Sequence, residues 1–402
     1  MPAPLEELKV VDLGWIMVGP VSGRYLAELG ADVIKAETGK RPDPLRGLGP
    51  FKDGRPGLER SLSYHLTNAN KRSLAVDVKR PEGLDLVRRL VADADVFIES
   101  FTPGAIDGMG LSYDALADAN PGLIMVSTGI LGRKGTLGLG MSGTGMTGSA
   151  YAGAAHLMGW PDRPPTGPLG PWTDAVAPRF IVSAILAALH RRKATGGGVH
   201  IDLAQAEAGL QFLAPAFLDH QVNGVTAERR GGLSDPLRAP CGAYPCAGDD
   251  RWVVIDAPAA DAWAVLAAIV PGLDDPRFAT LVGRLRHREA LDTRIAAWTQ
   301  DQTAEAVEQR LQAAGVPAHA LCHDGDLHED ADLEHAGFYR RIEDDEIGEG
   351  WIPGPQFSLD RTPHAPTRAG PRIGDASEAI LAERLGLAPD EIARLKAAGV
   401  LA

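Results

Sequence analysis

One carboxylate stands out as a group that could do chemistry. Asp174 follows a loop dense in Pro and Gly (159–171) and precedes a long apolar pattern in which Phe180, Ile181, Ala184, Ile185, Ala188 and Leu189 recur at helical spacing. An Asp at such a junction is either a helix cap or a reactive group. Pro178 complicates the cap: in a helix opened by Asp174 it would stand where the first i→i−4 donor is required, and proline has none. The spacing therefore predicts a helix beginning near Pro178, with Asp174 on the loop before it. Composition alone leaves both readings of the carboxylate open.

Other chemistry-bearing stretches are weaker. The segment 129–148 is glycine-rich and holds a literal G-x-G-x-x-G at Gly138, Gly140 and Gly143. A dinucleotide fingerprint should sit directly between strand and helix, whereas the preceding strand pattern ends at Ser127. The stretch reads instead as a loop that lets a ligand approach backbone N–H groups. The run Cys322-His323-Asp324-Gly325-Asp326-Leu327-His328 carries ligand-type residues in no zinc spacing and reads as a turn. His156 lies among small residues in a helical pattern and reads as a packed core histidine.

These residues need elements to position them. Apolar runs at 8–13, 31–37, 95–99 and 123–127, with a strand leading to Lys79, alternate with helical patterns at 21–29, 81–91 and 113–119. Gly30 ends the first helix and Pro81 starts the second. Alternation of this length predicts an α/β fold with a doubly wound, Rossmann-like parallel sheet. A helical pattern continues from 207 to about 218. A polar linker (221–238) with Arg229-Arg230-Gly231-Gly232 then leads to a second compositional block. That block has a strand at 251–255, helices at 261–269 and 303–314, and a strand at 315–322 read as returning the chain. The last helices fall at 377–385 and 390–399. The organisation expected is a large domain from 1–220 and 323–402, with a smaller α+β domain, 239–322, inserted into it.

Composition excludes several classes. The 402 residues carry a formal net charge of −13, which argues against a broad nucleic-acid surface. Three cysteines form no disulfide framework, no stretch approaches 18 consecutive apolar residues, and the segment MPAPLEELKVV lacks a basic and an apolar region. The expectation is a reducing, cytoplasmic setting with neither membrane nor nucleic acid as partner.

Several segments in order, 10–37, 68–83, 94–110 and 174–207, together with Gly315-Val-Pro-Ala and the late Leu385-Gly-Leu-Ala-Pro-Asp-Glu-Ile, resemble the family III CoA-transferases, the group of formyl-CoA transferase and carnitine CoA-transferase. The resemblance implies that Asp174 is the catalytic nucleophile, that acyl-CoA and a free carboxylic acid are the substrates, that no metal takes part, and that two copies form an interlocked homodimer. It places Val18, Gly19, Val76, Asp77, Lys79, Ser100 and Phe101 along the CoA, with Arg46 expected to help with phosphate; read without it, each Lys and Arg is a solvated surface charge. Met17 replaces a glutamine of some relatives, and Thr38 and Gly108 replace a CoA-binding arginine. Phosphate binding is therefore expected to shift toward Lys40, Arg41 or Arg133-Lys134. Trp160 and Trp172 point to a bulky acyl group, as in the benzylsuccinate CoA-transferase branch. The alternatives are an α-methylacyl-CoA racemase, which needs two acid/base groups, and a non-catalytic subunit of a heteromeric transferase.

Overall fold

Short runs of Val, Ile and Leu closed by Asp, Glu or Gly form the parallel strands of the first half. The computed structural model describes residues 2–135, 138, 141–168, 170–231, 235–362 and 364–402. Gly140 and Gly232 lie outside the described residues, so the G-x-G-x-x-G reading and the end of the Arg229–Gly232 stretch do too. The chain runs β1 (Lys9–Asp12), α1 (Val18–Glu28), β2 (Asp32–Glu37), α2 (Leu62–Thr67), β3 (Arg72–Ala75), α3 (Pro81–Ala92), β4 (Val96–Glu99), α4 (Ala105–Gly108), α5 (Tyr113–Ala117), β5 (Ile124–Gly129), α6 (Gly145–Tyr151), α7 (Ala154–Leu157), α8 (Trp172–Thr195), β6 (Val199–Ala204), α9 (Gln205–Phe212) and α10 (Ala214–Asn223). It continues through β7 (Cys241–Pro245), β8 (Trp252–Asp256), α11 (Ala260–Ile269), α12 (Leu281–Arg286), α13 (Arg288–Thr299), α14 (Ala304–Ala313), β9 (Ala318–Ala320), α15 (Asp324–His328), α16 (Ala331–His335), the hairpin β10 (Tyr339–Asp344) and β11 (Gly348–Pro353), α17 (Ser377–Leu385) and α18 (Pro389–Ala397).

The six-stranded sheet has the order β3-β2-β1-β4-β5-β6, every neighbouring pair parallel. This is the doubly wound order, and its direction reverses between β1 and β4. Val11 pairs with Ile34 on one side and Phe97 on the other, and its side chain belongs to the core under α3, α4, α5, α17 and α18. The alternate positions Val10, Val33, Ile98 and Val126 face the opposite core with Leu26 of α1, Ile181 and Ile185 of α8 and Ala208 of α9. By length and composition α8 could cross a membrane, but here Val176, Ala177, Ile181 and Ile185 are buried against the sheet.

Two compact units result: Met1–Ala154 with Pro168–Leu218 and Asp332–Ala402, and Ala155–Gly167 with Asp219–Ala331. The second unit contains the antiparallel sheet β7-β8-β9 and its own core, including Tyr244, Val253, Phe278 and Ile295. β9 pairs with β8, so the strand expected to return the chain instead completes this sheet. β6 and the β10–β11 hairpin were not expected. β6 reads Val-His-Ile-Asp-Leu-Ala and stays partly exposed at the sheet edge, so its apolar signal is weak. Close contact admits it: a Cβ on Gly198 would lie 2.0 Å from the Leu123 carbonyl oxygen.

Candidate active site

In an open parallel sheet, ligands bind outside the carboxyl ends of the strands where the order reverses. Four of the sequence-predicted residues sit there, at the exits of β1 and β4. Val18 and Gly19 open α1, and a Cβ on Gly19 would lie 3.0 Å from Gly14 Cα and 3.4 Å from Ser100 Oγ. Trp15 N–H donates to Ser100 Oγ at 2.8 Å, and Phe101 meets Trp15 edge-on with centroids 5.2 Å apart. Ile16 has φ 66°, in the left-handed region where a β-branched residue is strained. Its N–H donates to Asp43 Oδ1 at 3.0 Å.

Beneath this turn lies a buried layer of paired charges. Lys71 Nζ donates to Asp12 Oδ2 at 2.7 Å, to Asn68 Oδ1 at 2.8 Å and to the Pro20 carbonyl at 2.7 Å. Burial pushes this ammonium down to about 8 against the pull of Asp12. Lys35 pairs with Asp43 at 2.9 Å, both side chains fully buried. Arg46 belongs to the same layer, which corrects its expected role. Its Nε and Nη2 bind Glu37 at 3.0 and 2.7 Å, Nη1 reaches Glu59 at 2.5 Å and the Leu58 carbonyl at 3.2 Å, and Nη2 also reaches the Pro371 carbonyl at 2.9 Å. All five guanidinium N–H groups are used inside the protein, leaving none for a phosphate.

The remaining predicted CoA contacts lie at the exits of β2, β3 and β5. Val76 is 1% exposed and sits in the core, so it can meet a ligand through backbone alone. Asp77 accepts from Lys40 Nζ and from the Lys79 N–H, both at 3.1 Å, and the Lys79 side chain is exposed. The Thr38 hydroxyl donates to the Ala402 carbonyl at 2.5 Å. Arg41 stacks over Trp15, 5.1 Å from its centroid. Arg133 is drawn to Glu99, at 3.5 Å, and to Asp107, while Lys134 is exposed.

Asp174 lies in the first turn of α8, two residues after Trp172, and not on a loop before Pro178. Pro178 falls inside the helix and cannot donate to the Asp174 carbonyl four residues back. Asp174 makes no cap: the residue at the helix entry is Pro171. The side chain is 4% exposed and faces the starts of α6 and α9. Gly145 N–H donates to Oδ2 at 3.2 Å, and Gln205 supplies a further side-chain hydrogen bond. Burial pushes the carboxyl up to about 6, and those two hydrogen bonds only partly oppose it.

Three glycines allow this approach. A Cβ on Gly145 would lie 2.7 Å from Asp174 Cγ and Oδ2, one on Gly148 2.5 Å from Thr173 Oγ1, and one on Gly209 3.1 Å from the Trp172 ring. Sequence reading reached Gly145 and Gly148 only as part of a long glycine-rich stretch, and missed Gln205 and Gly209. The signal for Gln205 was its place directly after an unrecognised strand.

Other expectations change as well. His156 is about half exposed beside Glu228, at 3.4 Å, not packed in a core. Trp172 is packed against Phe212, with centroids 6.0 Å apart, and Trp160 covers Gly231. Among the described residues no group of three or more His, Cys, Asp or Glu is arranged to hold a metal.

The profile of CoA-transferase family III matches residues 5–377. The chain is 34% identical over 403 residues to succinyl-CoA–D-citramalate CoA-transferase of Chloroflexus aurantiacus, covering 100% of this chain and 98% of that protein. It is 30% identical over 408 residues to the alpha subunit of succinyl-CoA–L-malate CoA-transferase of the same organism, covering 99% of this chain and 92% of that one. A crystal structure of a CAIB/BAIF family protein from Brucella suis superposes with a TM-score of 0.85 at 30% identity, covering 96% of this chain and 100% of that one. Sheet order, segment order and these likenesses agree over nearly the whole length: the chain belongs to CoA-transferase family III and is an enzyme that transfers CoA.

Proposed function

We propose that the protein moves CoA from an acyl-CoA to a free carboxylic acid through a covalent intermediate on Asp174. The observation that carries this reading is a carboxylate buried beside the neutral Gly145 N–H, which burial pushes up to about 6. Above that pH it is ionised, and its raised basicity makes it a better nucleophile than an ordinary Asp. Attack on the thioester carbonyl gives a mixed anhydride and frees CoA thiolate. The thiolate attacks the aspartyl carbonyl, storing CoA as an enzyme thioester and releasing the donor acid. The acceptor carboxylate then runs both steps in reverse. A racemase would need a second acid/base group, and among the described residues no titratable side chain hydrogen-bonds Asp174.

The CoA is proposed to lie across the strand exits, with Gly19, Ser100 and Phe101 nearest the thioester and Lys79 at the phosphates. Succinyl-CoA as donor and a hydroxy-dicarboxylic acid as acceptor are the proposed substrates, supported by the names of the two curated relatives. A homodimer is proposed as well: Phe180, Phe212 and Phe217 are 38%, 57% and 61% exposed in the single chain, an apolar surface suited to a second copy. Mass spectrometry after incubation with succinyl-CoA, with borohydride or hydroxylamine trapping, tests the chemistry. An adduct on Asp174 that is lost in Asp174→Ala is the expected result; undiminished turnover in that variant would overturn the reading.

A further inference from the structure

Resting on the assignment of Asp174 as nucleophile, we propose that Gln205 and the Gly145 N–H form an oxyanion site for the carbonyl of Asp174 itself, separate from whatever stabilises the oxyanion on the substrate. Gln205 is the first residue of α9 and is 4% exposed. The Ser149 hydroxyl donates to the Gly145 carbonyl at 2.6 Å, so the single proton of the Thr173 hydroxyl, 3.0 Å from that carbonyl, is left for Gln205 Oε1 at 3.3 Å. With the amide oxygen taken by Thr173, the NH2 is left for the side of Asp174, whose carboxyl Gln205 helps to hold in its charged form. Gly145 N–H donates to Oδ2 at 3.2 Å. Thr173 thus fixes the Gln205 amide beside Gly145, and the absence of a Cβ at Gly145 and Gly148 lets the group close up.

Two of the four attacks in a full cycle occur at Asp174 Cγ. In the first, the CoA sulfur of the thiolate forms a bond to Cγ of the mixed anhydride, and the carbonyl π pair moves onto the aspartyl oxygen held by Gly145. Collapse of that alkoxide restores the C=O and breaks the bond to the bridging oxygen, which leaves with its electron pair as the donor carboxylate. In the second, the acceptor carboxylate oxygen bonds to Cγ of the thioester, the same oxyanion forms, and its collapse expels CoA thiolate. No proton moves in either step. Donors placed where charge develops stabilise that oxyanion without reorganising. Their neutrality matters too: a Lys or Arg in their place would hold the resting carboxylate too firmly, stabilising the ground state along with the transition state.

Gln205→Met keeps the side-chain length and removes the donor. Its kcat is expected to fall about 100-fold, the usual effect of losing one oxyanion donor, while KM for the acyl-CoA changes less than about twofold. The acid limb of kcat/KM should move to higher pH, because one stabiliser of the carboxylate is gone. Trapping should show acyl anhydride accumulating at the expense of the aspartyl-CoA thioester. Gln205→Glu, of the same shape but without the donor and with added negative charge at pH 8, should lose more; it decides the matter in the same assays if the Met variant fails to fold. A Gln205→Met enzyme with kcat within twofold of wild type and an unmoved acid limb would overturn the proposal. Failure to find any adduct on Asp174 in the wild-type enzyme would overturn the underlying reading instead.

Discussion

Two groups of buried charge lie at the carboxyl ends of the same sheet and are built on opposite rules. Under the β1–α1 turn, Asp12, Lys35, Glu37, Asp43, Arg46 and Lys71 are all buried and each is matched by an opposite charge. Around Asp174 burial is nearly as complete, yet the contacts are an amide N–H and a glutamine. A buried pair is a fixture, strongly destabilising when one partner is removed. A buried carboxylate without a cation is kept basic, and its chemistry is what requires it. The two groups divide residues that shape the site from the carboxylate proposed to react.

Breaking each group should therefore give opposite signatures. Asp174→Asn should abolish turnover by at least about 1,000-fold, as expected for a covalent nucleophile, measured with succinyl-CoA and a dicarboxylic acceptor. The same variant should be more stable than wild type by about 3 kcal/mol at pH 8, in urea titrations, since the buried charge is gone. The sign follows from the raised pKa. Folded Asp174 binds its proton more tightly than the unfolded chain does, so the protein loses stability as pH rises from about 4 through about 6. Near pH 4 the advantage of the variant should vanish.

Lys71→Met strands the Asp12 carboxylate and should cost about 3–5 kcal/mol, read as a fall in the denaturation midpoint. Gly145→Ala places a methyl group 2.7 Å from the Asp174 carboxyl carbon and should lower kcat by roughly 100-fold, with the midpoint moving much less than in Lys71→Met. In the wild-type enzyme kcat/KM should rise with pH through about 6, reporting the free-enzyme carboxyl. The smallest effect is expected at Lys79→Ala: a few-fold rise in KM for acyl-CoA with kcat unchanged, as for one exposed phosphate contact.

The paired group was partly legible in the sequence and the Asp174 group hardly at all. Apolar runs such as Val10-Val11 and Val33-Ile34, punctuated by Gly30 and Pro81, carry strands and helix ends in local chemistry, so the parallel sheet could be read directly. β6 could not, because its His200 and Asp202 interrupt the apolar pattern at a sheet edge. Losing that strand hid Gln205, whose proposed role comes from a neighbour 31 positions away in sequence. The role expected of Asp174 rests on the resemblance, whereas its local placement is misjudged from sequence: Pro178 predicts a helix beginning near itself, and α8 passes straight through it. Arg46 shows the limit from the other side. Nothing in its sequence context reveals that Glu37, Leu58, Glu59 and Pro371 will use every donor it has.

The turn at Ile16 has a mechanical side. A left-handed β-branched residue is a loaded spring, storing on the order of 1–3 kcal/mol, and Asp43 is its latch: one oxygen holds the Ile16 N–H and the other holds Lys35. Because a single carboxylate closes both contacts, the shape of the sheet's crevice and the neutrality of its foundation cannot fail separately. A shock to either is felt by both.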